Sequence, residues 1–262
     1  MDCKTALITG ASGGIGYEFA KLLAKDCNTL VLVARSKDRL KEIKKELETA
    51  SPISVIVVAQ DLSEPGAAEK VFRRLESEHI FVDILINNAG FGDHGAFAKT
   101  DWQKEGKMIA VNISALTEMT KLFLKGMVGR KSGRIVNVAS TAAFQPGPLM
   151  SVYYASKAYV LSFSEAVANE LEGTGVTITA LCPGPTATGF AIAARMERTR
   201  LFRFAKPAPA AAVARYGYEA MKKGKTVAIP GLLNKIIAFS VRTSPRKLLP
   251  SIVRWLHENS QS

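Results

Sequence analysis

Short apolar runs rich in β-branched residues take turns with longer segments of helical period along most of this 262-residue chain. No other feature constrains the fold as tightly. The runs at Thr5–Thr9, Thr29–Ala34, Ile53–Ala59, Val82–Ile86, Arg134–Val138 and Val176–Leu181 are nearly all apolar rather than alternating. Strands buried on both faces read that way, because neither face meets water. Between them lie Gly14–Lys25, Lys37–Thr49, Ala67–Glu78, Trp102–Val128 and Tyr154–Leu171. These carry apolar residues at helical spacing, such as Leu40, Ile43 and Leu47 in the second. Alternation of this kind predicts an α/β fold, a doubly wound parallel sheet with helices on both faces. After Pro183 the pattern loosens. A short helix over Ala187–Arg200, a longer one over Ala208–Lys223 and a last strand at Thr226–Ile229 bring the sheet to about seven strands. Two extra C-terminal helices follow, Gly231–Val241 and Lys247–His257, divided by Ser244-Pro245. No linker or repeat interrupts the chain, so residues 1–262 are expected to form one domain.

Composition excludes several classes. Hydrophobic residues make up 47% and charged residues only 22%, which is not the balance of a disordered chain. No apolar stretch approaches a membrane span. Cys3, Cys27 and Cys182 form no CxxC and cannot all pair, which argues against a disulfide framework and for a reducing, cytoplasmic setting. The strand-like run at Thr5 leaves no room for a signal peptide. His79, His94 and His257 have no ligand spacing, so no metal site is expected. Cys182 reads as a small core residue, and Trp102 and Trp255 as packing residues.

Three local patterns carry chemistry. The first apolar run enters Thr9-Gly10-Ala11-Ser12-Gly13-Gly14-Ile15-Gly16. Glycines let a backbone turn tightly and approach a pyrophosphate, which the N–H groups of the next helix can face. Alone, such a turn could equally be structural. The second run ends in Val33-Ala34-Arg35-Ser36, where a site for NAD would carry a carboxylate for the ribose hydroxyls. Arg35 stands there instead, and a guanidinium suits a 2′-phosphate, so NADP(H) is preferred over NAD(H). In Tyr153-Tyr154-Ala155-Ser156-Lys157, Tyr153 and Lys157 share a helix face one turn apart. An ammonium there would lower the phenol pKa and make Tyr153 a general acid/base, although the spacing also suits any helix face.

With these patterns in place the chain resembles the single-domain short-chain dehydrogenase/reductase family, with its Rossmann-type fold. The resemblance covers about residues 4–190 and adds further motifs in the family's order. Asp61-Leu62 matches the residues that meet the adenine. Asn87-Asn88-Ala89-Gly90 matches the segment along the adenine ribose, and Pro183-Gly184-Pro185-Thr186-Ala187-Thr188 the loop that holds the carboxamide. The resemblance also implies cofactor contacts from Gly10, Ser12, Gly14, Ile15 and Gly16. It implies a catalytic set of Asn112, Ser140, Tyr153 and Lys157. Tyr153 would protonate a carbonyl oxygen that Ser140 hydrogen-bonds. Lys157 would hold the nicotinamide ribose and depress the Tyr153 pKa, while Asn112 would order a water in the proton path. Homodimers or homotetramers through helices 102–128 and 154–171 are implied as well.

The pocket of such a sheet lies outside the carboxyl ends of its strands. Segments 91–98, 141–151 and a lid at 187–206 reach there, bringing Phe91, Met150 and Phe202, with Phe144, Leu149 and Phe190 expected to touch substrate. An apolar ketone is implied: aliphatic, aromatic, acyl-thioester or steroid-like. The formal charge of +12 is concentrated at the end of the chain. Residues 190–262 hold 14 Lys/Arg and 3 Asp/Glu, while residues 1–189 balance to +1. This basic tail (231–258) and the lid could attract an acidic carrier, lie on an anionic membrane, or pack on the domain or a second subunit. Packing is the favoured reading, and nucleic acid the least favoured. An active reductase and a nucleotide-binding protein without turnover are the two function classes, and the complete catalytic set favours the first.

Overall fold

The computed structural model describes residues 3–258, so the ends of the expected 1–262 domain lie outside the described residues. Strands β1 (Cys3–Thr9), β2 (Cys27–Ala34), β3 (Ser54–Ala59), β4 (Ile84–Asn87), β5 (Gly133–Val138), β6 (Val176–Leu181) and β9 (Val227–Ala228) form one sheet. Its order is β3-β2-β1-β4-β5-β6-β9, with every pair parallel. The continuous apolar runs follow from two cores. In β1 and β2, Ile8, Leu30 and Leu32 enter one core with Phe19 of α1 (Gly14–Leu23) and Leu40 of α2 (Lys37–Ala50). Their neighbours Leu7, Val31 and Val33 enter the other, against Val71 of α3 (Ala67–Ser77) and Phe123 of α5 (Leu116–Gly129). Successive side chains point to opposite faces, so every position must be apolar when both faces are covered.

The expected helix over 102–128 is interrupted. Residues Trp102–Ile109 form α4, Ala110–Ala115 make a π turn, and α5 follows. Helix α6 starts at Ser151 rather than Tyr154 and runs to Glu170. The expected helix over 187–200 resolves into a short α7 (Phe190–Ala193), with α8 (Arg200–Phe204) after it. A two-residue pair, β7 (Thr186–Ala187) with β8 (Ala208–Pro209), closes the base of this excursion. Helices α9 (Ala210–Lys222), α10 (Leu232–Thr243) and α11 (Leu249–His257) complete the described chain.

The cysteines depart from expectation. Cys3 and Cys27 are direct partners in the β1–β2 register, with Cα atoms 4.7 Å apart, and their sulfurs are bonded. Counting cysteines cannot see this pairing, which depends on strand register. The cysteine argument for a reducing compartment therefore falls. Cys182 is free and buried, as a core residue should be. No helix among the described residues is long and apolar enough to cross a membrane.

Candidate active site

Strand register brings the carboxyl ends of β1 to β6 to one edge, and a cleft of about 900 Å³ opens there. Its place is the switch in strand order between β1 and β4. One end is built on the glycine turn. Gly10 and Gly14 take φ of +65° and +54°, which glycine adopts without strain. A Cβ at Gly10 would press on the Asn88 side-chain amide at 2.8 Å. That amide donates to the carbonyls of Thr9 and Gly10, while the Thr9 hydroxyl accepts from the N–H groups of Asn88 and Ala89. The ends of β1 and β4 are thus stitched together. Helix α1 starts with no side-chain cap and no acidic residue, leaving a positive N-terminus beside Ser12, Gly14 and Ile15 on the cleft wall. Gly16 is buried in α1 and does not line the cleft.

Exposed Arg35 lines the cleft after β2, and Asp61 and Leu62 line it after the neighbouring β3. Burial pushes the Asp61 carboxyl up. The Ser63 amide and hydroxyl bonds outweigh that and, with the charges of Arg35 and Lys107, hold it below the usual range. Lys107 of α4 also lines the cleft, although no sequence motif marks it.

At the far end Tyr153 and Lys157 project from α6. Burial pushes the Tyr153 phenol up to about 12, with the nearby Ser140 hydroxyl opposing. Burial pulls Lys157 down to about 8, with Cys182 opposing. The ammonium donates to the Val138 carbonyl at 2.8 Å and sits 5.8 Å from the Tyr153 ring centre. The expected lowering of Tyr153 by Lys157 is therefore not what this structure shows, because burial dominates both groups. Ser140, two residues beyond β5, accepts from the Ala142 N–H at 3.1 Å and donates its hydroxyl to the Pro183 carbonyl at 3.4 Å.

Asn112 sits in the π turn, 1% exposed and behind the cleft wall. Its amide donates to the Phe91 carbonyl and the Ser156 hydroxyl, both at 3.0 Å, and its oxygen accepts from the Phe91 N–H. Both amide protons are thus committed to holding the chain after β4 against α6. The loop after β6 folds back, and the Thr188 methyl lies 3.0 Å from where a Gly14 Cβ would be. Ala89, Gly90, Pro183, Gly184, Thr186 and Thr188 all line the cleft.

The substrate expectations need correction. Phe190 lines the cleft, its ring 5.1 Å from that of Tyr153. Phe144 does not; its 3₁₀ turn sends it into a core with Leu116, Val160 and Cys182. Leu149 is not on the wall either. It takes φ of +66° and its carbonyl accepts from the Gly95 N–H at 2.8 Å, while Met150 faces the cleft. Trp102 packs poorly, at 66% exposed.

No sequence motif marks the C-terminal wall of the cleft. His257 of α11 lines the cleft and is 1% exposed. Its Nδ1 lies 2.9 Å from the Pro148 carbonyl and its Nε2 2.9 Å from the Tyr154 hydroxyl. Burial lowers its pKa, with the Pro148 bond opposing and His94 assisting. A neutral ring therefore donates from Nδ1 to Pro148 and accepts at Nε2 from Tyr154. Asp93, 3% exposed, takes Lys104 at 2.7 Å and lid residue Arg195 at 2.8 Å on one oxygen, tying the lid to α4. No group of three His, Cys, Asp or Glu among the described residues could hold a metal.

Residues 4–199 match the short chain dehydrogenase family. The chain is a short-chain dehydrogenase/reductase. It is 35% identical over 205 residues to the ketoacyl reductase HetN of Nostoc sp., covering 78% of this chain and 71% of that protein. It is 32% identical over 214 residues to the very-long-chain 3-oxoacyl-CoA reductase of Anas platyrhynchos, covering 78% of this chain but only 64% of that one. A short-chain dehydrogenase from Sphingobium yanoikuyae in complex with NADPH superposes with a TM-score of 0.82 at 30% identity, covering 92% of this chain and 93% of that one. This short-chain dehydrogenase/reductase is accordingly an NAD(P)-dependent oxidoreductase of carbonyl and alcohol substrates.

Proposed function

We propose that the protein interconverts an apolar ketone and its secondary alcohol with NADP(H), using Tyr153 as general acid/base. The observation that carries this reading is the Tyr153 phenol beside the Ser140 hydroxyl, in one cleft with the glycine turn and an apolar wall of Met150, Phe190 and Phe202. A dinucleotide fits the other end. The uncapped N-terminus of α1 suits a pyrophosphate, and Arg35 suits a 2′-phosphate. Gly10, Ser12, Ile15, Asp61, Leu62 and Asn88 would hold the adenosine half. Ala89, Gly90, Pro183, Gly184, Thr186 and Thr188 would hold the nicotinamide half. The bound nicotinamide supplies or accepts the hydride.

The chain's own residues do the rest. Ser140 hydrogen-bonds the substrate oxygen, and Tyr153 gives it a proton in reduction or takes one in oxidation. Lys157 keeps an ammonium beside that proton path and holds the nicotinamide ribose. With its side chain committed, Asn112 orders a water only through atoms other than its amide protons. The low polarity around Phe190 selects for bulky apolar ketones, and the relatives named for ketoacyl and 3-oxoacyl-CoA reduction support a substrate of that kind.

The test is NADPH consumption over a panel of aliphatic, aromatic and acyl-thioester ketones. Turnover is expected, with NADPH bound more tightly than NADH. Arg35→Asp should reverse that preference, by about tenfold for one lost charge-assisted bond. No turnover across the panel would overturn the reading, and equal cofactor affinities would overturn the NADP part.

A further inference from the structure

The two last helices are covered very differently. Helix α11 turns Leu249, Val253 and His257 inward. Helix α10 buries only Ala238. Its Leu232, Ile236 and Phe239 recur at helical spacing and are 74%, 56% and 67% exposed. The outer side of α11 repeats this: Leu248, Ile252 and Trp255 are each at least half exposed. Trp255 stacks at 6.0 Å on Phe204 of α8, also exposed. The favoured sequence reading of this tail was packing on the domain or a second subunit; packing on the domain holds for one side of α11 and leaves most of α10 uncovered. Exposed apolar stripes of this extent mark a surface that meets something else.

Charge decides what that is. No carboxylate occurs between Glu219 and Glu258, while Lys235, Arg242, Arg246 and Lys247 are all exposed around the stripes. In a two-fold pairing of this face with itself, cations would be set against cations with no carboxylate from 220 to 257 to pair them. An anionic lipid surface complements them and takes the aliphatic and aromatic side chains between its headgroups. We propose that α10 and the outer side of α11 dock the protein on an anionic phospholipid bilayer. The helices α8 and α11 that expose Phe204 and Trp255 also wall the cleft, through Leu201, Phe202 and His257. Docking through them would bring the cleft's apolar end to the lipid. This surface stands apart from the chemistry proposed above and does not depend on it.

The test is co-sedimentation of the full chain with vesicles of phosphatidylglycerol and phosphatidylcholine, against vesicles of phosphatidylcholine alone. The protein should pellet with the anionic vesicles and stay in the supernatant with the neutral ones. Raising salt to about 1 M, where the Debye length is about 3 Å, should release it. The triple variant L232S/I236S/F239S should lose pelleting while keeping the wild-type melting temperature. The pair K235E/R242E, which leaves the apolar stripe intact, should lose it as well. Absence of pelleting by the wild type, or equal pelleting by both variants, would overturn the proposal. So would a lipid-free wild-type dimer that the triple variant dissociates, because the stripe would then belong to a second copy.

Discussion

Burial moves the two groups of the proposed reaction centre in opposite directions, Tyr153 up to about 12 and Lys157 down to about 8. At neutral pH the phenol is protonated, as reduction needs, and the lysine still carries its charge. The sign of the pH dependence follows. Below about 8 the ammonium can return a proton to the phenolate that Tyr153 leaves after protonating a ketone. Above about 8 the neutral amine cannot. The rate of ketone reduction should therefore fall as pH rises through about 8. Lys157→Met, which has no proton to return at any pH, should give a lower rate with no such fall. A wild-type rate level to pH 10 would contradict this relay. These residues were legible because their spacing along one helix is fixed by the chain itself. Phe144 and Leu149 were misplaced because their direction depends on a 3₁₀ turn and a left-handed backbone position that residue type does not announce.

At the scale of elements, the catalytic end is shaped by two features the sequence hid. The π turn over Ala110–Ala115 breaks what reads as one helix, and it aims Asn112 at Phe91 and Ser156. Nothing in the apolar spacing of 102–128 distinguishes that turn from regular helix. Helix α11 closes the cleft from far along the chain, through His257. Removing that ring leaves the Tyr154 hydroxyl and the Pro148 carbonyl without partners and opens the substrate wall. His257→Ala should raise KM for an apolar ketone by about tenfold, the order of one lost buried bond, with NADPH affinity unchanged. His257→Gln can still donate to Pro148 and accept from Tyr154, and should restore much of the loss. An unchanged KM in His257→Ala would show that α11 takes no part in substrate binding.

Over the whole molecule, the order of the sheet brings distant motifs to one edge; the alternation of apolar runs and helices made the parallel sheet readable, but not that order. The seven parallel strands and two cores follow from that pattern, since each strand must be covered twice. The bonded pair Cys3–Cys27 and the unpacked stripe of α10 were not readable, because each depends on what lies beside a segment rather than within it. The +11 of the last 73 residues likewise has meaning only once the bare apolar stripes are seen among its cations. At the other end of the cleft, the central claim is hydride transfer to a ketone with Tyr153 as the proton donor. It is tested most directly by incubating a bulky apolar ketone with NADPH deuterated at the hydride position and weighing the alcohol formed. One deuterium is expected on the carbinol carbon, at a rate that Tyr153→Phe lowers by about two to four orders of magnitude. Alcohol without deuterium, or an undiminished rate in Tyr153→Phe, would contradict it.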